Sequence, residues 1–108
     1  MSNRSPGYVM NRPSRKPSAV YILWSDIGQR FYIGITENVA HRHTQHNAGV
    51  SRWTARYAGS WQLVWQRACA SLSEARQLES RLKAQRGGQG FWHITGLDPA
   101  AFCRTPGS

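Results

Sequence analysis

The sequence predicts one small α+β domain, an antiparallel sheet of three strands flanked by helices. Three observations lead there. Two alternating segments rich in β-branched and aromatic residues, Ala19 to Trp24 and Arg30 to Thr36, are separated by the turn-like SDIGQ, the pattern of a β-hairpin. A third such segment, WQLVWQRA from Trp61 to Ala68, stands between two stretches with helical spacing. A length of 108 residues allows one modest core rather than two.

Residues 1–17 are rich in Ser, Pro, Asn and Arg without apolar period, and read as a flexible basic arm ahead of a domain over 18–108. After the hairpin, TENVAHRHTQHNAG reads as a helix with Asn38 as N-cap and Gly49 just past its end. GVSRWTARYAGS reads as a loop with at most one helical turn. In SLSEARQLESRLKAQRGGQG, Ser71 and Glu74 form a capping box, and Leu72, Ala75, Leu78 and Leu82 recur at helical spacing. Gly87, Gly88 and Gly90 are expected to end that helix and to open a C-terminal extension, with a last short helix at Asp98-Pro99.

There are 14 Lys and Arg against 5 Asp and Glu, and the excess persists outside the arm. Such a surface attracts polyanions, nucleic acid before anionic membrane, because released counterions drive the association. Cys69 and Cys103 have no metal-type spacing, so a reducing compartment fits better than a disulfide framework. No apolar run approaches a bilayer span, and the first residues lack the apolar middle of a signal peptide. A cytoplasmic protein without membrane insertion, and with no obligatory protein partner in evidence, is the expectation.

A four-residue hairpin loop, Ser25 to Gly28, sets Tyr21 opposite Tyr32. One face then carries Val20, Ile22, Trp24, Phe31, Ile33 and Ile35. The other carries Tyr21 and Leu23 beside Arg30, Tyr32, Gly34 and Thr36, and is read as the polar face. Facing tyrosines are commonly a packing pair. Gly34 on the same face argues for a close approach by backbone or ligand instead.

Arg42 and His46, four apart on a helix, share a side. They suit a phosphodiester clamp with a proton-exchanging partner, or equally a solvated basic face. HRHTQH makes a poor zinc cage, since no two of its histidines are four apart. Of the five acids only Glu79 lacks a capping or turn duty. With Lys83 four residues on it forms a favoured helical ion pair, yet one carboxylate is also what a magnesium ion needs when phosphate and water complete its shell. Arg52, Trp53, Arg56 and Tyr57 interleave aromatic and basic groups, suited either to unpaired bases or to covering the core.

Together these positions resemble the GIY-YIG nuclease family. AVYIL matches its first motif with Tyr21, where Ala19 and Val20 stand for Gly-Ile. FYIG matches the second with Tyr32 and Gly34, and NVAHRHTQHN supplies the expected Arg42 and His46. The pattern SRWT, WQLVW, SEARQLESRLK places the family's metal-binding glutamate at Glu79 and a trailing lysine at Lys83. The resemblance implies magnesium-dependent phosphodiester hydrolysis, with Mn²⁺ as a substitute. It implies Glu79 on the metal, Arg42 on the scissile phosphate, and Tyr21 positioning or deprotonating water with help from Tyr32 and His46. The expected substrate is single-stranded or branched DNA, contacted also by Gly34, Arg52, Trp53, Arg56 and Lys83. The rival expectation is a non-catalytic nucleic-acid-binding module that retains the fold.

Overall fold

The structure, a computed structural model, describes residues 17–86 and 88–102. The expected basic arm, apart from Pro17, lies outside the described residues, as does Cys103. The three strands are β1 (Ser18–Ser25), β2 (Arg30–Thr36) and β3 (Trp61–Cys69), antiparallel in the order β2-β1-β3. The helices are α1 (Val39–Asn47), α2 (Leu72–Ala84) and α3 (Gln89–Thr95), with short 3₁₀ turns at Ala55–Tyr57 and Pro99–Ala101. The α+β class expected from the sequence is the one observed.

β1 is apolar almost throughout because it is central and covered on both faces. Val20 and Ile22 join Ala75, Leu78 and Leu82 of α2 and Phe91 of α3 in one core, with Phe31, Ile33 and Ile35 packed against it. Tyr21, Leu23 and Trp61 form a second core on the opposite face, under Val39 of α1 and Tyr57. The face read as polar is therefore a buried one, and Tyr21 is only 1% exposed. Alternation could not reveal this, because a helix supplies the covering residues.

The hairpin register differs from the expected one by two residues. Ser25 pairs with Arg30, Leu23 with Tyr32, and Tyr21 with Gly34, so the loop is Asp26 to Gln29. A shift of two keeps every side chain on its face. Ser25 stays in the strand because its Oγ accepts the Gly28 N–H at 2.9 Å and meets Ser60 Oγ at 2.7 Å, while Gln29 closes the turn at φ 53°. β3 carries a bulge: Ile22 faces Trp65 but Leu23 faces Leu63, leaving Val64 as the extra residue.

α1 begins where Asn38 Oδ1 accepts the His41 N–H at 3.0 Å. At its other end Asn47 clamps the start of β3, accepting from the Gly59 and Trp61 N–H groups and donating to Trp61 C=O at 2.9 Å. Ser71 caps α2, while Glu74 reaches back to the Ala70 amide rather than to that of Ser71.

The segment after the glycines is more than a tail. Gly88 serves as the N-cap of α3, and Phe91, 1% exposed, lies 5.0 Å ring to ring from Phe31. Of the glycines that read as a stop, Gly88 starts a new helix and Gly90 lies within it. Asp98 caps the final turn through the Ala100 N–H, as the sequence suggested. Replacing a buried phenylalanine by alanine costs about 3–5 kcal/mol. Phe91→Ala should therefore lower the urea midpoint by that equivalent, whereas His93→Ala, on the exposed side of α3, should leave it nearly unchanged.

Candidate active site

The second core holds the site. Tyr21 projects from the middle of β1 across Gly34, where a Cβ would stand 2.6 Å from the phenol oxygen. Only glycine leaves room for this ring, which accounts for the Gly34 of FYIG. The phenol meets His46 Nε2 at 2.7 Å, and His46 Nδ1 meets Thr54 Oγ1 at 2.6 Å. His46 and Thr54 are both 0% exposed. Thr54 directs its own hydroxyl toward Ser51 C=O at 3.5 Å, which leaves its oxygen to accept from Nδ1–H. Nε2 is then the acceptor for the Tyr21 O–H. Trp61 Nε1–H fixes the Thr54 carbonyl at 2.9 Å, so the loop cannot leave without breaking the second core.

Tyr32 completes the cluster, its ring 4.7 Å from that of His46 and 6.2 Å from that of Tyr21. Burial pushes the Tyr21 phenol up to about 12, reinforced by the neighbouring Tyr32, while the hydrogen bond and charge of Arg42 act in the opposite direction. Burial, then the charges of Arg42 and His43, lower His46 to about 4. Both groups are thus neutral at physiological pH. Arg42 Nη1–H donates to Gln45 Oε1 at 2.8 Å, which holds one end of the guanidinium.

The structure therefore brings Tyr21, Tyr32, Gly34, Arg42 and His46 together. Glu79 is on α2, the helix that covers the other face of the sheet, its half-buried carboxylate paired with Lys83 at 3.0 Å. Lys83 links the two groups, because it lines one cleft of about 360 Å³ with Arg30, Phe31, Tyr32, Trp53 and Trp61. Of the aromatic pair in the loop, Tyr57 packs against Trp61 while Trp53 is 79% exposed. Arg56 lies over the Tyr57 ring at 5.6 Å, and Arg52 is exposed. Thr54, Gln45 and Asn47 were not singled out from the sequence. Thr54 and Asn47 find their partners on other segments, which no local pattern reveals, while Gln45 meets Arg42 three residues away on the same helix.

Among the described residues no group of three or more His, Cys, Asp or Glu stands close enough to hold a metal. One carboxylate, at Glu79, suits a hard cation that keeps water and substrate oxygens in its shell. Among the described residues no helix is long and apolar enough to cross a membrane.

On one face of a three-stranded α+β domain a phenol and an imidazole thus meet over a glycine, with a guanidinium acting on both. The GIY-YIG catalytic domain matches residues 17–90, and the chain belongs to that family, whose chemistry is of the nuclease type. No curated protein and no solved structure gives a significant match.

The neutral His46 has a consequence for stability. Its folded pKa lies below the unfolded value of 6.5, so between pH 6.5 and about 4 the unfolded chain binds a proton that the folded chain refuses. The contribution is complete above 6.5 and declines as pH falls through that window, by about 3 kcal/mol in all. His46→Gln should be less stable at pH 7, and urea titrations should show its deficit from wild type shrinking toward pH 4.

Proposed function

We propose that this chain is a metal-dependent endonuclease that hydrolyses phosphodiester bonds in DNA, selecting single-stranded or branched substrates. The observation that supports it most is the convergence of His46, Tyr32 and Arg42 on the buried phenol of Tyr21. A packing tyrosine needs one hydrogen-bond partner, but neither a guanidinium nor a second phenol beside it.

Arg42 binds the scissile phosphate through the side of its guanidinium not taken by Gln45, and offsets charge as the transition state forms. Tyr21 orients the attacking water: its O–H is donated to His46 Nε2, and its oxygen lone pairs accept from the water. With the phenol near 12 and the imidazole near 4, the pair acts as fixed neutral dipoles rather than as a preformed base. Thr54 holds the tautomer, and Tyr32 closes the site on the solvent side. Glu79 would hold Mg²⁺ or Mn²⁺, which supplies Lewis-acid polarisation of the phosphoryl oxygen when bound. Lys83, which lines the cleft, holds that carboxylate by its ion pair. Arg52, Trp53 and Arg56 lie along the approach of the strand.

The Glu79–Lys83 pair also fits the rival reading, a binding module whose carboxylate has only a structural task. Labelled single-stranded, duplex and forked DNA incubated with Mg²⁺ or Mn²⁺ separates the two. Wild type should cut, and Glu79→Ala should lose activity by about two orders of magnitude or more while still binding DNA, since removing an acid leaves the basic surface intact. Absence of cleavage by wild type, with equal DNA binding by both proteins, would establish the binding module instead.

A further inference from the structure

At the tip of the β1–β2 hairpin Ile27 is 77% exposed, and in the loop after α1 Trp53 is 79% exposed. Single exposed apolar residues are ordinary; a braced turn beneath Ile27 and a shared link of both to Arg30 distinguish these two. Gly28 lies so close to Tyr57 that a Cβ there would stand 2.7 Å from the ring. The tip is further tied by the Ser25 hydrogen bonds to Gly28 and Ser60, and by Gln29 Nε2–H donating to Asp26 C=O at 2.8 Å. Arg30 donates to Gly28 C=O at 3.3 Å, and its guanidinium sits 5.4 Å from the Tyr57 ring centre. The same Arg30 shares the 360 Å³ cleft with Trp53, Tyr32 and Lys83. Arg30 thus joins the two, bracing the turn that carries Ile27 and forming with Lys83 the basic rim of the cleft that Trp53 lines beside Tyr32.

We propose that Ile27 and Trp53 form an element that reads the boundary between duplex and single strand. Ile27 abuts the last base pair of the duplex, and Trp53 stacks the first unpaired base as its strand turns into the cleft. The inference rests on the nuclease reading of the adjoining site and adds to it the substrate feature that is selected. The charge of the rim favours nucleic acid over an apolar protein partner, whose contact core would be depleted of cations. Aromatic groups interleaved with arginine suit unpaired bases, and an aliphatic wedge suits an interrupted stack. The chain's net charge of +9 points the same way.

The test is binding of the full chain, in EDTA and at fixed salt, to labelled blunt duplex, single strand and fork of equal length, followed by anisotropy. Wild type should prefer the fork by about tenfold, and Ile27→Ser and Trp53→Ala should each reduce that preference to about twofold. Val50→Ser should retain it, since Val50 is comparably apolar and 62% exposed but does not line the cleft. A wild type without fork preference, or an Ile27→Ser variant that keeps it in full, overturns the proposal. The two readings fail differently. Fork-selective binding without any cleavage in Mg²⁺ would overturn the nuclease reading alone, and cleavage without fork preference would overturn this one alone.

Discussion

The hydrogen bond from Tyr21 to His46 is the constraint on which the rest of the structure depends. To make it, a phenol must lie buried across a central strand, which requires glycine at position 34 and the register that puts it there. The imidazole must be neutral and held in one tautomer, which requires Thr54, and Thr54 is held in turn by Trp61. α1 must therefore sit on β3 at a fixed height, and the bonds of Asn47 and His43 to Trp61 set that height. A buried polar network of this kind is costly unless every member is satisfied. Here its members come from four separate segments of the chain.

The sheet divides the labour. α2 and α3 cover one face with aliphatic and aromatic residues and supply most of the apolar core, while α1 and the loop after it cover the other face and supply the polar cluster. The two sides come together over β2, one of the sheet's two edge strands. That is how Lys83, from the helix on the apolar side, lines a cleft with Tyr32, from the polar side. In the proposed mechanism the same edge lets Glu79 serve a site whose other residues stand on the opposite face.

Local features were readable from the sequence because their causes are local. Asn38, Ser71 and Asp98 cap their elements through bonds within a few residues, and Arg42 and His46 share a helix side by spacing alone. The register failed by two residues because Ser25 is held in the strand by Ser60, thirty-five positions away. The burial of Tyr21 was hidden because a lid cannot be seen in the alternation of the strand it covers. α3 was missed because glycines at Gly88 and Gly90 read as punctuation, although Phe91 fills a place in the core that only packing defines. Thr54 carries no pattern; its importance is entirely that of its partner.

The central claim is that His46 is a buried, neutral acceptor for the Tyr21 hydroxyl. Nitrogen-resolved NMR of the His46 ring tests it most directly, recorded on wild type and Tyr21→Phe across the acidic range. The account predicts a wild-type ring protonated at Nδ1 and unprotonated at Nε2, titrating only near about 4, with the Nε2 resonance moving toward that of a free acceptor in Tyr21→Phe. A ring that titrates near its ordinary 6.5, or that carries its proton on Nε2 in wild type, would contradict it.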